Sequence, residues 1–262
     1  MRKLNWKKIV AGTLSAIMLL SVTACGSSST KSESASTEAS KKELTKVTFC
    51  LDWTPNTNHT GIYAAKALGY YEDAGLDVEI VQPPENGADF SKVKLIPNNI
   101  TDEPAALKAN QTDAIWVFYG WGGINAEVEG VDCDYWNFKD IDSVFDYYTP
   151  VMIANNDFLK NSPDEAKAFL AATKKGYQYA IDNPKKAADL LIAGDDTGSL
   201  KGSEDLVYKS QEWLSKQYVA DADNWGVIDE TRWNNFYKWL AENKLTTKDL
   251  TGKGFSNDYL PK

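Results

Sequence analysis

Between two strand-like segments, 76–81 and 93–96, the chain has only the 11 residues of 82–92, and Pro83 and Pro84 stand among them. Parallel neighbours in a sheet need a crossover of a dozen or more residues, usually a helix. Proline resists a helix interior, so no crossover fits here. The two segments are not parallel neighbours, or they belong to different lobes, or a connecting part is missing.

Upstream of this break the pattern is regular. Residues 47–51 (Val-Thr-Phe-Cys-Leu) are strand formers, and Asp52 to Asn58 is turn chemistry. Residues 60–68 place Ile62, Ala65 and Leu68 on one helical face, which Gly69 ends. A short helical turn at 70–74 leads to the strand at 76–81. That order, β-loop-α-β, opens a doubly wound α/β sheet.

Downstream, the spacing predicts a helix over 101–109 with Thr101 as its N-cap, a buried strand over 114–118, and a helix opened by Gly120-Trp121-Gly122-Gly123 and running to about 129. A further strand is predicted at 148–154. Helices then fill 162–183, 184–193, 200–218 and 229–243, the first of them with Ser162 as cap and Pro163 at its first position. There is no internal repeat.

The N-terminus reads as an export signal. Arg2, Lys3, Lys7 and Lys8 precede an apolar run of 14 residues, 9–22, then Val22-Thr23-Ala24-Cys25. That run is short of the about 20 residues a membrane-spanning helix requires. A cysteine at the cleavage point marks a lipoprotein, held to the membrane by acyl chains on Cys25. Residues 26–40 carry no aromatic or branched aliphatic side chain and read as a flexible tether.

Cleavage before Cys25 removes four of the 28 basic residues and none of the 37 acidic ones, leaving 238 residues with a formal charge of −13. That charge argues against nucleic acid or an anionic lipid surface as a partner. Cys50 and Cys133 either pair in an oxidising compartment or stay separate, half-buried thiols, and the second reading is favoured. With His59 as its one histidine, the chain has no zinc-ligand cluster, and it has no G-x-S-x-G elbow, P-loop or G-x-G-x-x-G. No metal, cofactor or catalytic residue is expected, and a binding protein is favoured over an enzyme.

Four runs carry a resemblance: Asp52-Trp53-Thr54-Pro55-Asn56-Thr57-Asn58-His59-Thr60-Gly61-Ile62-Tyr63, Gly69-Tyr70-Tyr71-Glu72-Asp73-Ala74-Gly75-Leu76, Gly120-Trp121-Gly122-Gly123-Ile124-Asn125-Ala126-Glu127 and Asp146-Tyr147-Tyr148-Thr149-Pro150-Val151. Together they resemble the thiamine-precursor substrate-binding proteins of ABC importers, relatives of a fungal thiamine-pyrimidine synthase. The resemblance implies a type II periplasmic-binding-like α/β fold of two lobes with mixed sheets. It also implies that about 80 residues of the family's middle are absent, near 88–90, which leaves the first lobe incomplete. A natural compact variant is the alternative to an internal deletion or gene-model error. The domains are then a signal peptide 1–24, a lipidated linker 25–43, part of lobe one 44–89, the core of lobe two 90–154, and a helical region returning to lobe one 155–262.

The resemblance implies an aminopyrimidine ligand, an ABC permease partner and a place on the outer face of the cell membrane. A flat ring wants aromatic faces, and its amine wants a carboxylate. Trp53 follows strand one, where α/β sites form, though a core role fits its position equally. Asn56 and Asn58 are polar contacts or turn formers, and His59 is a contact or a cap. Tyr119 and Trp121 flank Gly120. Glu127, three residues after Ile124, is the candidate carboxylate, with an ordinary surface role as the alternative. Tyr148 supplies a second ring face or belongs to the core. Competing readings are a receptor for another flat solute (riboflavin or an aromatic sulfonate), a pyrimidine-forming enzyme like the fungal relative, which the absence of a cysteine-rich iron segment disfavours, and a binding-impaired remnant.

Overall fold

A computed structural model describes residues 43–51, 53–82, 102–111, 114–219 and 224–261. Cys25, the linker up to residue 42 and the strand expected at 93–96 lie outside them. Strand β1 (Thr45–Cys50) pairs in parallel with β2 (Leu76–Val81), with Val47 opposite Val78 and Phe49 opposite Ile80. Between them run α1 (Thr60–Ala67) and α2 (Tyr70–Asp73), so the β-loop-α-β opening forms as expected. Then follow α3 (Glu103–Lys108), α4 (Ile124–Val128), α5 (Phe138–Ile141) and α6 (Asn156–Asn161). The C-terminal half carries α7 (Pro163–Asp182), α8 (Pro184–Gly194), α9 (Glu204–Leu214) and α10 (Glu230–Glu242).

Two apolar clusters hold the sheet and the C-terminal helices together. In one, Ile62 and Ala65 of α1, Tyr71, Leu76 and Val78 meet Phe169, Ala172 and Tyr177 of α7. Phe169 stacks on Phe49 at 5.5 Å and on Tyr71 at 5.3 Å, and the Tyr71 hydroxyl bonds the Thr173 hydroxyl at 2.9 Å. In the other, Leu51 and Tyr63 meet Ala188 and Leu191 of α8, Leu200, and Val207 of α9. The stripe Ala166, Phe169, Ala172, Thr173, Gly176, Tyr177 and Ala180 faces inward along α7, three and four residues apart as a buried helix face requires. Pro163 opens this helix as expected, but the Ser162 side chain makes no capping bond.

The expected strands at 114–118 and 148–154 do not form. Both stretches are irregular, with Trp116 58%, Phe118 50% and Ile153 90% exposed. Their composition suits a strand, but a strand is stable only against a neighbour that pairs with it. Among the described residues the one sheet is the two-stranded parallel pair, not the mixed sheets expected. The helix expected over 200–218 begins only at Glu204, because the Asp195 carboxylate gathers Thr197, Ser199 and the Leu200 amide into a tight turn first. The helix expected to start at Thr101 is capped by Asp102, whose carboxylate accepts from the Ala105 amide at 2.9 Å. Cys50 and Cys133 are unpaired and exposed rather than half-buried. No helix among the described residues is long and apolar enough to cross a membrane.

Candidate functional site

The loop after β1 is built by its own side chains. The Asn56 side chain accepts from the Asn58 amide at 2.9 Å, and the Asn56 amide donates to His59 Nδ1 at 3.2 Å. This is a capping box around the 3₁₀ turn Thr57–His59, which feeds directly into α1. Asn56 and His59 are both buried. The main-chain carbonyl of Asn58 accepts from the Tyr177 hydroxyl of α7 at 2.6 Å. Trp53, at the tip, is 70% exposed, so its indole faces are open to a partner.

Because Asn56 caps this turn, Asn56→Ala is expected to cost about 1 kcal/mol of stability, and Asn56→Asp, which keeps the acceptor, much less. Urea unfolding of both variants checks this. Equal losses would mean the carboxamide matters for another reason.

The second loop is the wide turn Tyr119–Gly123, which runs into α4. A Cβ on Gly123 would lie 2.5 Å from the Tyr119 ring, so the turn closes on its own aromatic only with glycine there. The Tyr119 hydroxyl donates to Glu127 Oε1 at 2.5 Å. That bond, with burial and the carboxylate's charge, pushes the Tyr119 phenol up to about 12. Its ring lies 4.4 Å from Tyr135 and meets Trp213 edge-on at 5.1 Å. Glu127 is exposed, not on an inward face. Trp121 is half-buried and packs against the Leu51–Tyr63–Leu191 cluster.

These two loops are tied together through α9. Ser210 donates to the carbonyl of Gly120, and its hydroxyl also meets the Thr57 hydroxyl at 2.6 Å. Tyr218 donates to the Thr57 carbonyl at 2.5 Å and approaches Gln211 Oε1 at 3.2 Å. Sequence reasoning missed Ser210, Gln211, Trp213 and Tyr218. A signal existed: Ser210 and Gln211 are polar yet fall in the buried phase of α9 with Leu206, Val207 and Leu214.

Tyr148 stands with α10 instead. Its hydroxyl accepts from the Asp229 amide at 2.8 Å, and the Arg232 guanidinium lies 4.6 Å from its ring centre. Arg232 also pairs with Asp146 at 2.6 Å. Beside it is a cleft of about 130 Å³ lined by Tyr147, Tyr148, Thr149, Trp233, Phe236 and Tyr237. A larger hollow of about 290 Å³, between Tyr63, Ile80 and Leu190, takes in none of the residues singled out from sequence.

The family described as NMT1/THI5 like matches residues 56–88 and 84–187, in two pieces that overlap at the break seen in the sequence. A formylaminopyrimidine-binding protein of Halalkalibacterium halodurans is 22% identical, over 78% of this chain and 87% of its own length. That alignment runs over 288 residues, more than the 262 of the whole chain, so the relative carries residues with no counterpart here. Two 4-amino-5-hydroxymethyl-2-methylpyrimidine phosphate synthases of Saccharomyces cerevisiae are 42% identical over 38 residues, 14% of this chain and 11% of theirs. With half of its length matched in two blocks that hold all but the start of its motifs, the chain belongs to the NMT1/THI5-like family, whose fold is periplasmic-binding-like.

Proposed function

We propose that the chain is the extracytoplasmic solute-binding component of an ABC importer and carries a thiamine pyrimidine precursor to a permease. The observation that carries this reading is the alignment with the formylaminopyrimidine-binding protein over most of both chains. The chemistry of the two loops supports it. The open faces of Trp53 suit a flat ring, and Glu127 offers a carboxylate for an exocyclic amine, one oxygen of which is already held by Tyr119. Asn56, Asn58 and His59 hold the first loop in place, and Trp121 anchors the second to the core. Tyr148 forms part of a separate aromatic wall. Lipid on Cys25 and the linker 25–43 hold the domain near the permease, with lobe one formed by 44–89 and 155–262 and lobe two by 90–154.

Calorimetric titration of residues 25–262 with formylaminopyrimidine and hydroxymethylpyrimidine tests the reading, with riboflavin as a competitor class. Binding of an aminopyrimidine is expected, weakened about tenfold by Glu127→Gln and by Trp53→Ala. Absence of heat from folded protein rejects it.

A second reading, a binding-impaired remnant, is favoured by the relative's residues that have no counterpart here and by the exposed Trp116, Phe118 and Ile153. Inserting the relative's unmatched residues after residue 88, where the two matched blocks meet, separates the two. Binding only by the extended chain supports the remnant, and equal binding by both removes it.

A further inference from the structure

We infer that Ser210 is a positioning residue for the proposed pyrimidine site, a strut of α9 that fixes the spacing between the Trp53 loop and the Tyr119–Glu127 turn; this rests on the reading above. The direction of its hydrogen bonds follows from proton count. The Gly120 carbonyl only accepts, so the single hydroxyl proton of Ser210 goes to it. Thr57 then donates its own hydroxyl proton to Ser210 across 2.6 Å. The carbonyl of Thr57 in turn accepts from the Thr60 hydroxyl at 3.0 Å and from Tyr218 at 2.5 Å.

Thr57, Thr60 and Ser210 are all 0% exposed. Water has no access to replace a lost partner, and each bond polarises the next. The chain of bonds ends four residues from Trp53 and one residue from Tyr119. The same helix also sets the Tyr119 ring: Trp213, three residues beyond Ser210, packs edge-on against it. One helix therefore controls both the main chain of the second loop and the aromatic that holds Glu127. A flat ligand gripped between the loops needs both walls at a fixed distance, and an error of about 1 Å in such a site is costly.

The test uses the chain from residue 25 onward, at a temperature where circular dichroism shows every variant folded. Ser210→Ala and Thr57→Val are each expected to weaken formylaminopyrimidine binding about tenfold. Thr57→Ser, which keeps the hydroxyl, recovers most of the affinity. A purely structural role would lower the melting temperature and leave the affinity of the folded protein unchanged, which would overturn the inference.

Amide hydrogen exchange reads the strut without ligand. In Ser210→Ala, the His59 amide, bonded to Asn56, and the Trp121 and Gly122 amides, bonded to Phe118, are expected to exchange faster together. Faster exchange confined to one loop would also overturn it. Wild-type protein that binds no pyrimidine, with both loops still loosened together, overturns the functional reading and leaves the strut standing as a coupling of the two loops.

Discussion

Replacing Gly176 with alanine is expected to destabilise the fold by about 3 kcal/mol and to lower its melting temperature by roughly 6–12 °C. A Cβ at Gly176 would lie 2.0 Å from the Gly61 carbonyl oxygen, 2.8 Å from the Ala65 Cβ and 2.9 Å from the Ala65 amide nitrogen. Two of these three obstacles are backbone, so no side-chain rotation relieves the clash. Helix propensity argues the other way, since alanine is better than glycine in a helix interior by about 1 kcal/mol. The steric term exceeds that gain because α1 and α7 have to move apart. Their contact is doubly tuned: a Cβ on Gly61 would enter the Tyr177 ring at 2.3 Å.

Separation would also pull Tyr177 from the Asn58 carbonyl, and so disturb the loop that carries Trp53. Thermal melting followed by circular dichroism checks the prediction. A melting temperature equal to or above that of wild type would show that the two helices do not approach this closely.

How far the sequence foretold this structure depends on how local each signal was. The first β-loop-α-β unit was legible because every part of it is local: strand formers at 47–51, a 3.6-residue stripe on α1, and the glycine that ends it. The start of α7 at Pro163 and the span of α10, expected over 229–243, were legible for the same reason. The stretches 114–118 and 148–154 misled because composition records only a preference, while a strand also needs a paired neighbour. The family match breaks ahead of them, at 84–88, and the relative carries residues that this chain lacks.

At the candidate site, Asn56 and His59 drew attention as polar residues after a strand, and local spacing could not tell a capping box from a ligand contact. Glu127 was placed inward by its spacing from Ile124, yet it is exposed and tied to Tyr119, eight residues earlier. Ser210 escaped notice because its partners, Thr57 and Gly120, lie 153 and 90 residues away.

Above pH 10 the fold is expected to lose stability steeply. Burial raises the phenols of Tyr71 and Tyr218 well above their ordinary value. Burial, with the charges of Asp196 and Asp195, pushes Tyr63 up to about 12, and the bond to Glu127 does the same for Tyr119. In the unfolded chain each of these ionises near 10. Between pH 10 and 12 the unfolded state therefore holds fewer protons than the folded state, and stability falls as pH rises. The contribution is fully present below pH 10 and is lost through the folded-state values.

A phenol that stays protonated in the fold costs about 1.4 kcal/mol for each pH unit above 10. Tyr71 and Tyr218 alone therefore remove roughly 3 kcal/mol per unit, a large share of an ordinary stability of about 5–15 kcal/mol. Tyr119, half-buried on a loop, counts for less. Lysines also titrate in this range, and Tyr71→Phe separates the two. It gives up the bond to Thr173 at neutral pH, about 1 kcal/mol, but flattens the alkaline loss by one phenol's share. In wild type, tyrosinate absorbance should appear together with the loss of helical circular dichroism. Tyrosinate signal from most of the 13 tyrosines near pH 10, with helices intact, would show the phenols to be open to solvent and the packing of α7 and α9 against the first loop to be looser than described.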